Sequence, residues 1–396
     1  MKLLVIVSSL DLTQPFSATP AWWQLLKALY EVGVDVIAAP YQGPAIESPW
    51  WRAAPNPAKR EGDAFKLARD TLRRLTGVRQ TQAAGTQVEG ESLADRAVRR
   101  IAQTVIAPRW RRHVDHILRQ QPDVDAVLVI TVPANHLPGV ARHITEQHHK
   151  PVFFYDGDVP ASLPTFMGFA TGFRIYQGAD LSEYTAFISN SEGGRQGLLD
   201  LGARAVHTLF YGADEDLFSP VDVPQDLDAF FYGHGREYRA EWIEAMVRAP
   251  SLALPDARFA VRGTRLGDLG RAQMLPYLSF SKLREYACRS KLNLVITRKA
   301  HASVFASSSS RPFELASLGA CMVCNPYEGL ETWFEPEKEL IVVHSAEEAI
   351  ERYTWLLAHD DVRRAMGQAA RERFLKEHTF RHRARQLVSI IQGYLS

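Results

Sequence analysis

Short apolar runs that alternate with helix-forming stretches constrain this chain more than any other feature. Leu3–Val7 is such a run, followed by Thr19-Pro20, a cap and first-turn proline for a helix bearing Trp22, Leu25, Leu26 and Leu29. Gly33 closes that helix and Val34–Ala39 is the next run, so the chain opens as a β-α-β unit. Uninterrupted apolar runs of this length belong to parallel strands covered on both faces. The spacing predicts further strands at Ala126–Thr131, Pro151–Tyr155, Phe187–Asn190 and Val206–Phe210. A second series follows at Ala229–Tyr232, Arg258–Val261, Leu292–Ile296, Cys321–Cys324 and Leu340–Val343. With 396 residues the chain is long enough for two domains, and the polar stretch after Phe218 reads as the link between two α/β halves.

The alternation breaks between about residues 42 and 121. That segment carries Trp50-Trp51 and then helical sequence up to Arg119, broken at Pro108, and it reads as an insertion in the first half. Seven arginines between Asp95 and Arg119 read either as a solvated helix face or as a docking surface for an anionic acceptor or lipid headgroup. Lys plus Arg is 46 against 45 for Asp plus Glu, so no basic field favours nucleic acid. No apolar run reaches the ~20 residues that span a bilayer. Three cysteines cannot make a disulfide framework, and a cytoplasmic protein is expected. Cys321 and Cys324 are spaced C-x-x-C but lie on one strand, where residues three apart face opposite ways, so they are expected to be structural.

Ligands of open α/β sheets bind beyond the carboxyl ends of the strands. The loop after the first strand has no glycine, which argues against a nicotinamide enzyme. Chemistry is instead concentrated in Ser307-Ser-Ser-Ser-Arg311-Pro-Phe-Glu314-Leu-Ala-Ser-Leu-Gly319, where Pro312 and Gly319 bracket a short helix. Ser309, Ser310 and Arg311 at its start suit an anion, and Glu314 can accept bonds from sugar hydroxyls. Gly233, Gly235, Arg236 and Arg239 follow an earlier strand of the same half, with glycines for close approach and arginines for phosphate. Together these point to a nucleotide. In the first half, Asp156 and Asp158 flank Gly157 at a strand end, where they read either as an acceptor base pair or as ordinary turn chemistry. His136 is a further candidate base. Trp50 and Trp51 either stack on an acceptor sugar or fill a small core. No metal site is expected.

Three blocks carry a family resemblance: Arg311–Ala320, Tyr327-Glu-Gly-Leu-Glu-Thr-Trp-Phe-Glu-Pro336 and Glu377-His-Thr-Phe-Arg-His-Arg383. They resemble the C-terminal half of CgeB-like glycosyltransferases, within the group-1 set that has the GT-B fold. Phe187–Glu192, Gly212–Asp214 and Leu217–Pro220 resemble the usual end of the first domain in that set. The resemblance implies an α/β GT-B architecture of two facing Rossmann-like domains. Residues 1–217 would form the acceptor domain and 218–378 the nucleotide-sugar donor domain, with 379–396 a helix returning to the first. It implies metal-independent transfer, retaining in stereochemistry, from a nucleoside-diphosphate sugar to an acceptor hydroxyl, with no other cofactor. Glu314 matches the glutamate that usually bonds the ribose. A second glutamate common eight residues earlier is here Ala306. That departure keeps a non-catalytic nucleotide-sugar-binding protein open as an alternative, and the two-domain cleft would also suit a nucleotide-sugar epimerase-like enzyme.

Overall fold

A computed structural model describes residues 1–13, 20–62, 93–169, 175–235, 239–276 and 279–395. The first sheet has seven parallel strands: β1 Lys2–Ser9, β2 Asp35–Gln42, β3 Arg52–Ala53, β4 Ala126–Ile130, β5 Val152–Asp156, β6 Ala186–Ser189 and β7 Val206–Thr208. Their order is β3-β2-β1-β4-β5-β6-β7. The second sheet has six: β8 Leu227–His234, β9 Phe259–Thr264, β10 Gln273–Met274, β11 Ser290–Val295, β12 Met322–Cys324 and β13 Ile341–Val342, ordered β10-β9-β8-β11-β12-β13. Each sheet is wound in both directions from its first strand, so each has a switch point beside that strand: β1/β4 in one, β8/β11 in the other.

The period of two along each strand sorts side chains into two helix-covered layers. Leu4 and Ile6 enter one core while Leu3, Val5 and Val7 enter the other. In the second sheet Phe230 and Tyr232 face one layer, Ala229 and Phe231 the opposite one. Cys321 and Cys324 are likewise buried in opposite layers and are free thiols. The segment read as a helical insertion also supplies β3, which is too short for its apolar pattern to register in the sequence; Ile37 pairs with Arg52 there. The helices Leu93–Ile101 and Ala107–Gln120 are joined by a π-helical turn at Ala102–Ile106.

Two features fasten the halves. Thr379 caps the last helix, Phe380–Gln392, which lays Phe380, Ala384, Leu387 and Ile391 into the first-domain core beside Leu25 and Leu29. At its start, Lys27 reaches Glu31, Asp214 and Asp216 at 2.9, 2.6 and 3.0 Å, and Arg381 pairs with Glu31 and Asp216 at 2.9 and 2.7 Å. That acidic trio is close enough to ligate a metal, but the ammonium of Lys27 already occupies its centre. Among the described residues no helix is long and apolar enough to cross a membrane.

Candidate functional site

The β8/β11 switch point gathers the charged groups of the second domain. Ile296, just past β11, presents its carbonyl to two arginines: Nη1 of Arg311 at 3.1 Å and Nε of Arg239 at 3.2 Å. Arg239 also donates through Nη1 to the carbonyl of His234 at 3.3 Å. Arg311 lies over the faces of Tyr232 and Phe231, 4.9 and 5.2 Å from the ring centroids, and this stacking fixes its plane. Burial lowers its affinity for a proton, while Tyr232 and Glu314 oppose that effect. Gly233 makes the approach feasible, because a Cβ there would stand 2.7 Å from Arg311 Nη2. A Cβ at Gly235 would overlap the carbonyl oxygen of Arg265 at 1.8 Å, so the turn after β8 tolerates no side chain. Arg236 lies outside the described residues.

Glu314 sits one turn along the Ser310–Ser317 helix from Arg311 and is fully buried. Its Oε2 accepts the Tyr232 hydroxyl at 2.8 Å, while Oε1 is buried with no partner. Burial pushes the carboxyl up to about 7, although Tyr232, Arg311 and Ser310 all favour its charged form. Ser309 is the N-cap, extended at φ −128°, and its side chain makes no capping bond. The helix stops at Gly319, φ +66°.

The four serines divide by role. Ser307 and Ser308 are fully buried in a seam between the domains. Ser307 Oγ lies 2.6 Å from Ser191 Oγ, and Ser308 Oγ donates to the Asn190 carbonyl at 2.9 Å while accepting Tyr211 N–H at 2.8 Å. Ala306 belongs to this seam: it is buried at φ +45°, donates to Glu328 O at 3.0 Å and accepts Glu192 N–H at 3.1 Å. The position where a second glutamate was expected is therefore an enclosed, left-handed backbone site.

The first domain contributes the carboxyl end of β5. Asp156 is buried and accepts Ser162 Oγ and Tyr176 OH, both at 2.5 Å, and the Asp158 N–H at 2.8 Å. Burial raises its pKa, while Ser162, Tyr176 and the charge of Arg298 lower it. These bonds make Asp156 the organiser of its own turn. Asp158 instead faces the second domain, where Oδ1 pairs with Nη2 of Arg298, and its Oδ2 is buried without a partner. Arg298 follows β11 two residues after Ile296, and its Nε donates to Nδ1 of His301 at 2.9 Å. Burial lowers the Arg298 guanidinium to about 10 and holds His301 well below the ordinary imidazole range. The sequence reading missed Arg298 and His301. The available signal was position, since Thr297-Arg298 directly follows an apolar run at a switch point.

The remaining candidates lie elsewhere in the first domain. His136 Nδ1 is 3.0 Å from the Tyr41 hydroxyl, and burial, with Arg99 nearby, brings its pKa down to about 4. Trp51 is 5% exposed, donates Nε1–H to Ile46 O at 2.9 Å and meets Trp22 edge-on at 6.3 Å. Trp50 meets Trp23 edge-on at 5.3 Å. Both rings thus pack against the first helix, and Trp51 belongs to the core.

Buried polar atoms cost about 1–3 kcal/mol each when unpaired. Asp158 Oδ2, Asn190 Oδ1, Thr297 Oγ1, Arg311 Nε and Glu314 Oε1 are all in that state. They come from both domains, at or near the ends of β5, β6 and β11 and the start of one helix. Such a concentration marks a place prepared for a polar ligand.

Comparison with known proteins agrees. Residues 236–389 match a family model described as glycosyl transferase-like. No curated protein matches the chain in sequence. Sucrose-phosphate synthase from Thermosynechococcus elongatus superposes at TM-score 0.65 and 14% identity, covering 100% of this chain and 99% of that one. Anabaena HepE in complex with UDP and glucose gives TM-score 0.59 at 10% identity, with 98% and 99% covered. Trehalose-6-phosphate synthase OtsA gives 0.62 at 14% identity, with 99% of each chain covered. The sequence match is to a glycosyl transferase-like model over residues 236–389, and none of these comparisons singles out the CgeB-like subset. The described residues thus have the GT-B fold, and residues 236–389 are similar to a glycosyl transferase-like sequence family.

Proposed function

We propose that this protein transfers a glycosyl group from a nucleoside-diphosphate sugar to an acceptor hydroxyl. The observation that carries the reading is the unpaired, buried Glu314 Oε1 one helical turn from Arg311, which converges with Arg239 on Ile296 O. A carboxylate and two guanidinium groups at a switch point match the two polar parts of a nucleotide diphosphate. Ribose hydroxyls would donate to Glu314. Diphosphate oxygens would accept from Arg311 and Arg239, with Ser309 and Ser310 at the same helix start. The UDP in the HepE structure supports a nucleotide of this type.

Departure of the diphosphate places negative charge on its bridging oxygen. Arginines already fixed by stacking and by backbone carbonyls meet that charge without reorganising. They make metal-independent transfer the simplest reading, and the group-1 resemblance favours retention. On the first-domain side, Asp158 is the candidate to orient the acceptor, because Asp156 is committed to its turn. Closure of the two domains would exclude water from the donor.

The test is a panel of nucleotide sugars with mixed hydroxyl acceptors, read as nucleoside diphosphate released and glycosylated product formed. The wild type should turn over at least one pair, and Arg311→Ala should lower turnover by about 10²-fold or more. Donor binding without any transfer would instead favour a non-catalytic nucleotide-sugar-binding protein, to which the enclosed Ala306 lends weight. Conversion of the donor sugar with no acceptor present would favour the epimerase-like reading.

A further inference from the structure

We infer that Asp158 and Arg298 exchange partners when the donor binds: Arg298 leaves Asp158 for the diphosphate, and Asp158 is thereby released as the acceptor's base. The inference rests on the proposed transfer reaction and adds a third guanidinium and an order of events to it.

Three observations carry it. Arg298 stands on the same strand end as Ile296, whose carbonyl holds Arg239 and Arg311, so three guanidinium groups share one switch point. Two of them stay on second-domain carbonyls, whereas Arg298 reaches across to the first domain's Asp158. The pair is also incomplete. Asp158 uses only Oδ1 toward Arg298 and leaves Oδ2 buried with no partner, although a carboxylate and a guanidinium can join through two parallel bonds. Finally, His301 accepts from Arg298 Nε at 2.9 Å. Nη2, the nitrogen on Asp158, also lies 3.2 Å from His301 Nε2, so it exchanges both contacts while Nε stays anchored.

Electrostatics sets the direction. A diphosphate carries more negative charge than one carboxylate and offers several acceptor oxygens, so in a desolvated cleft it competes well for Arg298. Asp158 without its cation is a stronger base, because an adjacent positive charge favours the ionised carboxylate. In the empty protein the same pairing masks the base. The step balances as follows. The bond from the sugar's anomeric carbon to the diphosphate oxygen breaks with its electron pair going to that oxygen, where Arg298 meets the charge. The acceptor oxygen forms the new bond to the anomeric carbon on the face the diphosphate leaves, which keeps the configuration, and its proton passes to Asp158 Oδ2, to be returned to water when the cleft opens.

Calorimetric titration with inorganic pyrophosphate, a probe independent of the base, tests the exchange. Asp158→Asn, which frees Arg298 without adding bulk, should bind pyrophosphate about tenfold more tightly than wild type, and Arg298→Met about tenfold more weakly. Asp158→Asn should also slow diphosphate release from the best nucleotide sugar by about 10²-fold, so that affinity rises while turnover falls. A merely structural bridge would not split the two readouts in that way. Asp158→Ser serves the same purpose if the asparagine variant does not fold. Unchanged pyrophosphate affinity in the folded Asp158 variant overturns the exchange. A parallel titration of Glu314→Ala with UDP, GDP, ADP and dTDP separates the two claims. If Glu314→Ala weakens the best of these while the Asp158 variant changes nothing, the nucleotide reading stands and only the exchange falls. If Glu314→Ala also leaves every affinity unchanged, the nucleotide reading falls with it.

Discussion

Arg239 and Arg311, carried by different segments of the second domain, donate to one shared acceptor, the carbonyl of Ile296. Two like charges are brought together at a strand end where the described protein sets no ion pair for Arg311, and an anionic ligand would resolve that repulsion. Gly233 is the residue that lets Arg311 lie there. In Gly233→Ala the new methyl would meet Arg311 Nη2 at 2.7 Å, the far end of a flexible side chain. The arginine can yield, but the φ of +157° at Gly233 is one that L side chains rarely adopt, so we expect a stability loss of about 1–3 kcal/mol and a tenfold or greater loss of pyrophosphate affinity. Denaturant titration alongside calorimetry checks both.

Gly235→Ala should behave differently. Its methyl would fall 1.8 Å from the Arg265 carbonyl oxygen, which is backbone and cannot step aside. The turn after β8 must open, and we expect about 2–4 kcal/mol of destabilisation together with lost binding. A midpoint equal to that of Gly233→Ala would contradict this account of the loop.

Glu314 gives a pH dependence with a definite sign. Its folded pKa of about 7 lies above the 4.5 of an ordinary glutamate, so from pH 4.5 to 7 the folded protein keeps a proton the unfolded chain has lost. Stability contributed by the protonated form is present below pH 4.5 and is lost as pH rises through 7. Glu314→Gln removes that slope. Its unfolding free energy relative to wild type should therefore rise across this window, by on the order of 3 kcal/mol at pH 8, while nucleotide affinity falls. Equal pH profiles for the two proteins would show that the carboxyl is not held in this buried state.

The serines separate by variant as they do by position. Ser307→Ala leaves Ser191 Oγ without its 2.6 Å partner in the domain seam, at a cost of about 1–2 kcal/mol. Pyrophosphate affinity should stay within about twofold of wild type, since the lost bond is between protein groups. Thermal melts with and without pyrophosphate read both effects. A large affinity loss would move Ser307 from the seam into the ligand site.

The last helix should be as costly to damage as a core element. Leu387→Ala empties a fully buried position shared with Leu25 and Leu29 of the first domain, and about 2–4 kcal/mol should be lost. Urea denaturation checks it.

The fold was legible because parallel strands buried on both faces leave apolar runs, unbroken in β1, β4, β5 and β8 and interrupted in β11 only by the buried Asn293. β3 and β10 escaped because Arg52-Ala53 and Gln273-Met274 lie in no apolar run, unlike the equally short edge strand β13 within Leu340–Val343. Glu314 and Arg311 could be found from a helix start with bounding proline and glycine. The roles within the serine run could not, because Ser307 and Ser308 differ from Ser309 and Ser310 only in what the first domain brings against them. The same holds for Asp156 and Asp158, which share a turn in the sequence. One is saturated by Ser162 and Tyr176, and the other meets Arg298 from a segment remote in the chain. Contacts between domains leave no local pattern to read.

The central claim is that Glu314 and Arg311 form a ribose and diphosphate clamp, and it is tested most directly by calorimetric titration of UDP, GDP, ADP and dTDP. Wild type should bind one of these best. Glu314→Ala should weaken that nucleotide by about 10–100-fold while leaving inorganic pyrophosphate nearly unchanged, and Arg311→Ala should weaken both. Nucleotide affinities unaltered in both folded variants would contradict the assignment.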